Sequence, residues 1–274
     1  MPRIAILQMT TGIDPAENAA AIVAAVSAAK AGGAQMLFTP EMSGLLDRDR
    51  NRAARHIVPE NENQVLAAVR DAAREQQLWV ALGSLAVAGE GGHWANRSLL
   101  IDDRGQVAAR YDKMHMFDVD LAGGESWRES SAYKAGDAVV TAETPLGRLG
   151  LTICYDLRFP ALFDALGRQG CDLIAVPAAF TVPTGQAHWH VMQRARAIEA
   201  SAFVIAAAQV GEHADGRSTY GHSLVVDPWG KVLLDMGNEA GLAFADIEPG
   251  QIAEVRRQLP SLANRRDMPR SPEQ

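Results

Sequence analysis

Short apolar runs alternate along the chain with stretches in which apolar positions recur every three or four residues. This is the pattern of a layered α/β protein rather than a bundle or an all-β sandwich. Residues 3–8 form the first β-type run. Behind it, Asp14-Pro15-Ala16-Glu17 supplies a helix cap, a first-turn proline and an acid, and the Ala-rich stretch that follows ends at Gly32-Gly33, so a helix with both ends marked is predicted. Strands at residues 36–39 and 79–87 flank a helix at 64–77, completing a β-α-β-α-β order.

Residues 97–101 and 107–111 flank the turn-rich Asp102-Asp103-Arg104-Gly105 and predict a hairpin. From 113 to 137 glycines and serines replace periodic apolar positions, so a long ordered loop is expected, a kind that often carries function. Regular order resumes with strands at 149–153, 173–176 and 203–208, a helix after Pro160, a helix over 189–201, and a strand pair across Asp227-Pro228-Trp229-Gly230. Residues 3–87 and 149–208 share one strand-helix rhythm, which hints at internal pseudo-symmetry. The tail from Pro260, with Arg265-Arg266 and Pro269-Arg270, reads as a docking arm or a frayed end.

The 274 residues suffice for one domain with a full core; its body is expected over about 3–247, with a C-terminal arm over about 248–274. A formal charge of -7 disfavours nucleic acid and anionic membranes as partners. Charge-free stretches are too short to span a bilayer and residues 1–9 lack a signal-peptide shape, so a soluble, cytoplasmic protein is expected. Two cysteines, Cys154 and Cys171, are too few for a disulfide framework. Of 26 basic residues only Lys30, Lys113, Lys134 and Lys231 are lysines, leaving 22 arginines.

Cys154 stands where a buried strand ends and the chain turns towards a helix, the edge of a parallel sheet where ligands bind. It reads either as packing or as a nucleophile whose pKa is lowered by the N–H groups of the next turn. Cys171 reads as packing. Glu41 ends the apolar run before it; it is either a surface acid or a desolvated carboxylate with a raised pKa suited to general base work. Lys113 is a surface lysine or a point charge kept where a guanidinium would not serve. His115, His188, His190 and His222 show no helical ligand spacing, so no metal site is expected and hydrogen-bonding roles are assigned to His188 and His222.

Taken together, Thr39-Pro40-Glu41-Met42-Ser43-Gly44, Tyr111-Asp112-Lys113-Met114-His115-Met116-Phe117-Asp118 and Ile153-Cys154-Tyr155-Asp156-Leu157-Arg158-Phe159-Pro160 resemble the Glu, Lys and Cys signatures of the nitrilase superfamily of carbon-nitrogen hydrolases. Further likeness lies in Arg128-Glu129-Ser130, in Gly185-Gln186-Ala187-His188-Trp189 with Arg194 to Glu199 behind it, and in Tyr220-Gly221-His222-Ser223 before Asp227-Pro228-Trp229-Gly230. The resemblance implies a four-layer αββα sandwich that pairs through a helical face into a dimer, with no metal and no organic cofactor. It implies a Cys154 nucleophile, a Glu41 base, an oxyanion held by Lys113 and the Tyr155 N–H, and Glu129 orienting Lys113 or assisting proton transfer. A thioester would form as ammonia leaves, and water activated by Glu41 would hydrolyse it.

Within the superfamily the resemblance is closest to the deaminated-glutathione amidase and ω-amidase branches, more to the former, which implies a small 2-oxo acid amide as substrate. Arg158 is then a carboxylate partner or an ion pair of Asp156, and Phe180 and Thr184 are candidates for the pocket wall. N-carbamoyl amine hydrolysis and a catalytically silent interaction protein on the same scaffold remain the alternatives.

Overall fold

The computed structural model describes residues 1–120 and 126–266; Pro269-Arg270 of the tail and part of the long loop lie outside them. Two six-stranded sheets stack face to face with helices outside each, giving the expected four-layer αββα sandwich. The first sheet runs, in spatial order, Gly241–Asp246, Arg3–Gln8, Met36–Phe38, Trp79–Ala88, Trp94–Ile101, Val107–Asp112. The second runs Thr141–Thr144, Gly147–Leu151, Leu173–Ala175, Phe203–Ala206, Leu224–Val226, Val232–Asp235. Each is therefore three parallel strands with one antiparallel neighbour on one side and two on the other. The rhythm shared by the two halves is a real repetition of architecture.

Alternation along the strands divides the core. Ala5 and Leu7 pack outward with Leu37, Val80 and Leu82 against Ile22, Val26 and Val69 of the helices Pro15–Ala31 and Gln64–Gln76. Ile4, Ile6, Met36 and Phe38 point the other way, into a second cluster with Leu149, Leu151 and Ile174 of the facing sheet. That cluster continues to Phe163, Leu166, Trp189 and Ala197 on the helices Pro160–Arg168 and Val182–Ala200.

The first helix is capped as read: the Ala16 N–H donates to Asp14 Oδ1 at 2.8 Å. Several boundaries differ. The helix expected over 189–201 starts at Val182, because Pro183 sits in its first turn where a missing N–H costs nothing. The strand expected to reach Ile153 stops at Leu151, where Thr152 bonds sideways to the Ala175 carbonyl through both its N–H and its hydroxyl. Within the long loop, Asp118–Asp120 pairs with Ser126–Arg128 as a small ribbon, followed by the 3-10 turn Glu129–Ser131. Beyond residue 247 the chain forms the helix Gly250–Gln258, with Ile252 and Val255 buried. Arg265 then donates to the Glu199 carbonyl at 2.7 Å, so the described part of the tail is docked.

One glycine fixes the site. At Gly83 the third strand breaks register, and a Cβ there would lie 2.1 Å from the Thr39 carbonyl oxygen and 2.4 Å from that of Pro40. The close approach lets the Gly83 N–H reach Thr39 Oγ1 at 3.0 Å, Ser84 Oγ accept the Met42 N–H at 2.9 Å and the Ser84 carbonyl accept the Ser43 N–H at 3.0 Å. The turn carrying Glu41 is thereby stapled to the sheet. Gly83→Ala should push that turn away, lowering stability by about 1–3 kcal/mol, the range for overpacking, and amide hydrolysis by a larger factor than stability explains. Denaturant unfolding together with turnover checks this; wild-type turnover in Gly83→Ala would show that the staple does not position Glu41.

Candidate active site

The residues singled out by type converge at one edge of the sandwich. Glu41 follows Met36–Phe38, Lys113 follows Val107–Asp112 and Cys154 lies shortly after Gly147–Leu151. All three lie at C-terminal strand ends, the edge at which α/β sheets bind ligands. Glu129 arrives from the 3-10 turn in the long loop.

Lys113, 2% exposed, is the hub. Its Nζ donates to Glu41 Oε1 at 3.0 Å and to Glu129 at 2.8 Å (Oε2) and 3.1 Å (Oε1). Asn96 Nδ2 bridges the same two acids, at 2.9 Å to Glu41 and 3.2 Å to Glu129. The outer oxygens are held by backbone: Ala179 N–H to Glu41 Oε2 at 2.9 Å and Phe117 N–H to Glu129 Oε2 at 2.7 Å. Gln209 donates at 2.9 Å to the Glu41 carbonyl. Asn96 and Gln209 escape a sequence reading that searches for chemistry by residue type. The visible signal at Asn96 is a lone amide among the apolar residues of a strand, which must find buried partners. The N–H donors of Ala179 and Phe117 leave no sequence signal.

Cys154 sits at φ 49°, a left-handed conformation that costs a side-chain-bearing residue about 1–3 kcal/mol. Its N–H donates to the Pro177 carbonyl at 2.8 Å, and its buried thiol is close enough to the Glu41 carboxylate for that charge to act on it. It opens the 3-10 turn Cys154–Arg158, so the Tyr155 N–H is among those that a helix start leaves without an intrahelical acceptor. Asp156, fully buried, fastens this turn: Oδ2 accepts Tyr111 OH at 2.6 Å and Ile153 N–H at 2.9 Å, and Oδ1 accepts His115 N–H at 3.0 Å and lies 2.7 Å from His115 Nδ1. Asp156 is thus spent within the turn and does not pair with Arg158.

Electrostatics reverse two expectations. Burial pushes the Glu41 carboxyl up, but the Lys113 charge with hydrogen bonds from Cys154, Lys113 and Asn96 outweighs it, and the net is a pKa below the ordinary glutamate value. The Cys154 thiol is pushed well up, by burial first and then by the Glu41 charge, against the pull of Lys113. Burial opposes the Lys113 charge, yet Glu129 and Glu41 hold its pKa well above ordinary. Glu41 is therefore not a base made strong by desolvation, nor Cys154 a thiol ionised by its turn. The resting site is a carboxylate, an ammonium and a neutral thiol close beside the carboxylate. Cys171, buried and raised to about 12, is inert packing.

Cys154, Glu41, Lys113 and Glu129 open onto a cavity of about 370 Å³ that Tyr155, Arg158, Phe180 and Thr184 also line. The Arg158 guanidinium lies 5.3 Å from the Phe180 ring centre and 5.9 Å from that of Tyr155, with Nη1 3.3 Å from His188 Nδ1. Thr184 shares a 2.7 Å hydroxyl contact with Thr181, and Phe180 packs on Trp189. His222 and His190, outside this cavity, both contact Asp235, at 2.9 Å through Nδ1 and at 2.9 Å through Nε2. Their three ligating atoms lie within 4.8 Å of one another, an arrangement capable of taking a metal ion that local spacing could not reveal, because it joins a helix, a turn and a strand end.

The chain belongs to the carbon-nitrogen hydrolase family, whose pattern it matches over residues 3–257. It is a hydrolase of the nitrilase superfamily. Deaminated glutathione amidase from Yersinia enterocolitica is 40% identical over 266 residues, which are 96% of this chain and 92% of that protein; the Homo sapiens enzyme of that name is 36% identical over 97% of this chain and 83% of its own. The crystal structure of the Caenorhabditis elegans NitFhit protein superposes with a TM-score of 0.89 at 36% identity, over 97% of this chain and 65% of that one. An amidase from Nesterenkonia sp. superposes at 0.79 with 27% identity over 94% and 95%, and another structure of a Nesterenkonia amidase shows acrylamide added at the active-site cysteine.

The charge states give a pH prediction. Glu41, lowered, stays a carboxylate at and above pH 4.5, and Lys113, raised, stays charged up to pH 10.5, their ordinary values. With a thiol raised above 9.0, kcat/KM should be flat between about pH 6 and about pH 9. A rate climbing tenfold per pH unit across that range would identify free thiolate as the attacking species and overturn the assignment.

Proposed function

We propose that the chain is an amidase acting on small 2-oxo acid amides through a Cys154 thioester, with deaminated glutathione as its leading substrate. The observation that carries this is the buried ammonium between two carboxylates, with a buried thiol beside one of them. Glu41 takes the thiol proton as Cys154 attacks the amide carbonyl. The oxyanion is met by Lys113 Nζ and the Tyr155 N–H, donors of a kind each worth about 10²–10³-fold in rate. Glu41 then returns the proton to the departing amine, leaving the thioester, and deprotonates the water that hydrolyses it. Glu129 keeps Lys113 aimed while Glu41 changes charge. No step asks for a metal or an organic cofactor.

With deaminated glutathione, the leaving amine is the cysteinylglycine dipeptide rather than ammonia; with 2-oxoglutaramate it is ammonia. Arg158 is assigned to the 2-oxo acid carboxylate, since no carboxylate of the described residues occupies it, and Phe180 and Thr184 to the wall beside it. The relatives' names favour deaminated glutathione over 2-oxoglutaramate and over an N-carbamoyl amine. Among the described residues no helix is long and apolar enough to cross a membrane, and two buried thiols suit a reducing compartment, in keeping with a cytoplasmic enzyme.

We also assign a homodimer. Val191 (63% exposed) and Ile198 (43%) share an outer face of the helix Val182–Ala200, and Trp229 (56%) lies in the turn that Arg194 holds against it through the Gly230 carbonyl. A second copy of the chain suits this apolar helical face.

Two measurements test these readings. The purified chain should release cysteinylglycine from deaminated glutathione with a higher kcat/KM than it releases ammonia from 2-oxoglutaramate, and Cys154→Ala should abolish both; the reverse preference would make it an ω-amidase, and inactivity on both would remove the 2-oxo acid reading. Sedimentation should give twice the chain mass, reduced to one by Val191→Glu with Ile198→Glu; a wild-type monomer would refute the pairing.

A further inference from the structure

Although the protein is acidic overall, its reaction cavity is basic. Six cationic side chains line it, Lys113 and five arginines, against three acids, Glu41, Asp47 and Glu129. Most of these charges are spoken for. Lys113 consumes Glu41 and Glu129, and Asp47 pairs with Arg52 at 2.6 Å. Arg128 pairs with Asp120 at 2.8 Å, Arg217 with Asp215 at 2.7 Å, and Arg50 donates to the Arg128 carbonyl at 2.7 Å. Arg158, Arg48 and Arg50 have no ion pair with a described residue, and Arg50 is held by that carbonyl, which leaves the guanidiniums of Arg158 and Arg48.

These two guanidiniums stand at opposite ends of one aromatic row. Arg48 lies 5.8 Å from the Trp127 ring centre; Trp127 is 6.3 Å from Phe117; Phe117 is 5.1 Å from Tyr155; and Tyr155 is 5.9 Å from Arg158. Cys154 adjoins Tyr155, so the nucleophile is near the Arg158 end and the Arg48 end is separated from it by two further rings. The Arg48 backbone is fixed by its N–H to Asp215 Oδ2 at 2.8 Å, while its side chain remains exposed at the cavity. A cavity of about 370 Å³ falls in the range of about 300–1,000 Å³ usual for small-molecule pockets.

We propose that Arg48, over Trp127, forms a leaving-group subsite that binds the terminal carboxylate of the departing amine, so that the cavity selects linear amides with an anion at each end. The inference rests on the reading of the chain as an amidase of 2-oxo acid amides and deepens it. Arg158 holds the acyl-side carboxylate and Arg48 the amine-side carboxylate, with the scissile bond between them at Cys154. An amino acid or peptide amine has the second anion; ammonia has none. Arg48 touches neither the reacting carbonyl nor the nucleophile, so its contribution is to binding and specificity.

The test compares wild type, Arg48→Ala and Arg48→Lys on three amides: deaminated glutathione, its glycine-carboxamide analogue and 2-oxoglutaramate, with thermal melting as the check on folding. Arg48→Ala should lower kcat/KM for deaminated glutathione about tenfold more than for 2-oxoglutaramate, mostly through KM, the scale of one charge-assisted contact. Wild type should lose a similar factor on the carboxamide, Arg48→Ala should add little to that loss, and Arg48→Lys should restore part of it. An equal loss on all three amides, or none, overturns the subsite while leaving the amidase reading standing. Wild-type turnover of 2-oxoglutaramate without turnover of deaminated glutathione overturns the subsite and the preferred substrate together.

Discussion

The site depends on one charge held where charges are costly. Lys113 is removed from water, and its ammonium survives because two carboxylates and an amide-bridged frame surround it. An isolated buried ammonium would lose its proton; paired on both sides it keeps it. Everything catalytic follows from that balance. Glu41 stays ionised because Lys113 is charged, the thiol stays protonated because it is buried beside an ionised Glu41, and the cluster carries a net negative charge that, on the proposed mechanism, a developing oxyanion at Lys113 must compete with. On the proposed mechanism the reaction moves one proton between neighbouring groups, with little reorganisation around it.

The frame explains why so much fold is spent on so few atoms. Glu41 is restrained from both sheets: the Gly83 staple belongs to the first, and the Ala179 N–H and Gln209 amide come from beyond strands of the second. Cys154 pays its unfavourable dihedral within a turn whose buried Asp156 has four contacts. The two sheets are thus registered against each other at the reacting atoms and not merely packed together.

The fold class was legible because short continuous apolar runs alternate with stretches of period 3.6, as at residues 3–8 and 64–76, and because Asp14 and the Gly32-Gly33 pair mark one helix at both ends. The ribbon Asp118–Asp120 with Ser126–Arg128 was not, since each strand is three residues long with a single apolar position, too short for its alternation to stand out. Glu41, Lys113, Cys154 and Glu129 stood out by type and motif. Their charge states did not, because a pKa is set by neighbours distant in sequence: the depression of Glu41 needs Lys113 and Asn96, residues of other strands. Arg48 gave no local signal at all, and only the row of rings from Trp127 to Tyr155 relates it to Arg158.

The edge strand Gly241–Asp246 lies against Arg3–Gln8, and the Ile247 N–H reaches the Pro2 carbonyl at 2.9 Å. Arg3–Gln8 therefore waits for a strand distant in sequence before its open edge is covered. Until then the sheet that carries Glu41 and Lys113 exposes unpaired backbone along Arg3–Gln8. Such sequence-distant closure makes for slow, late assembly of the sheet from which Glu41 and Lys113 project.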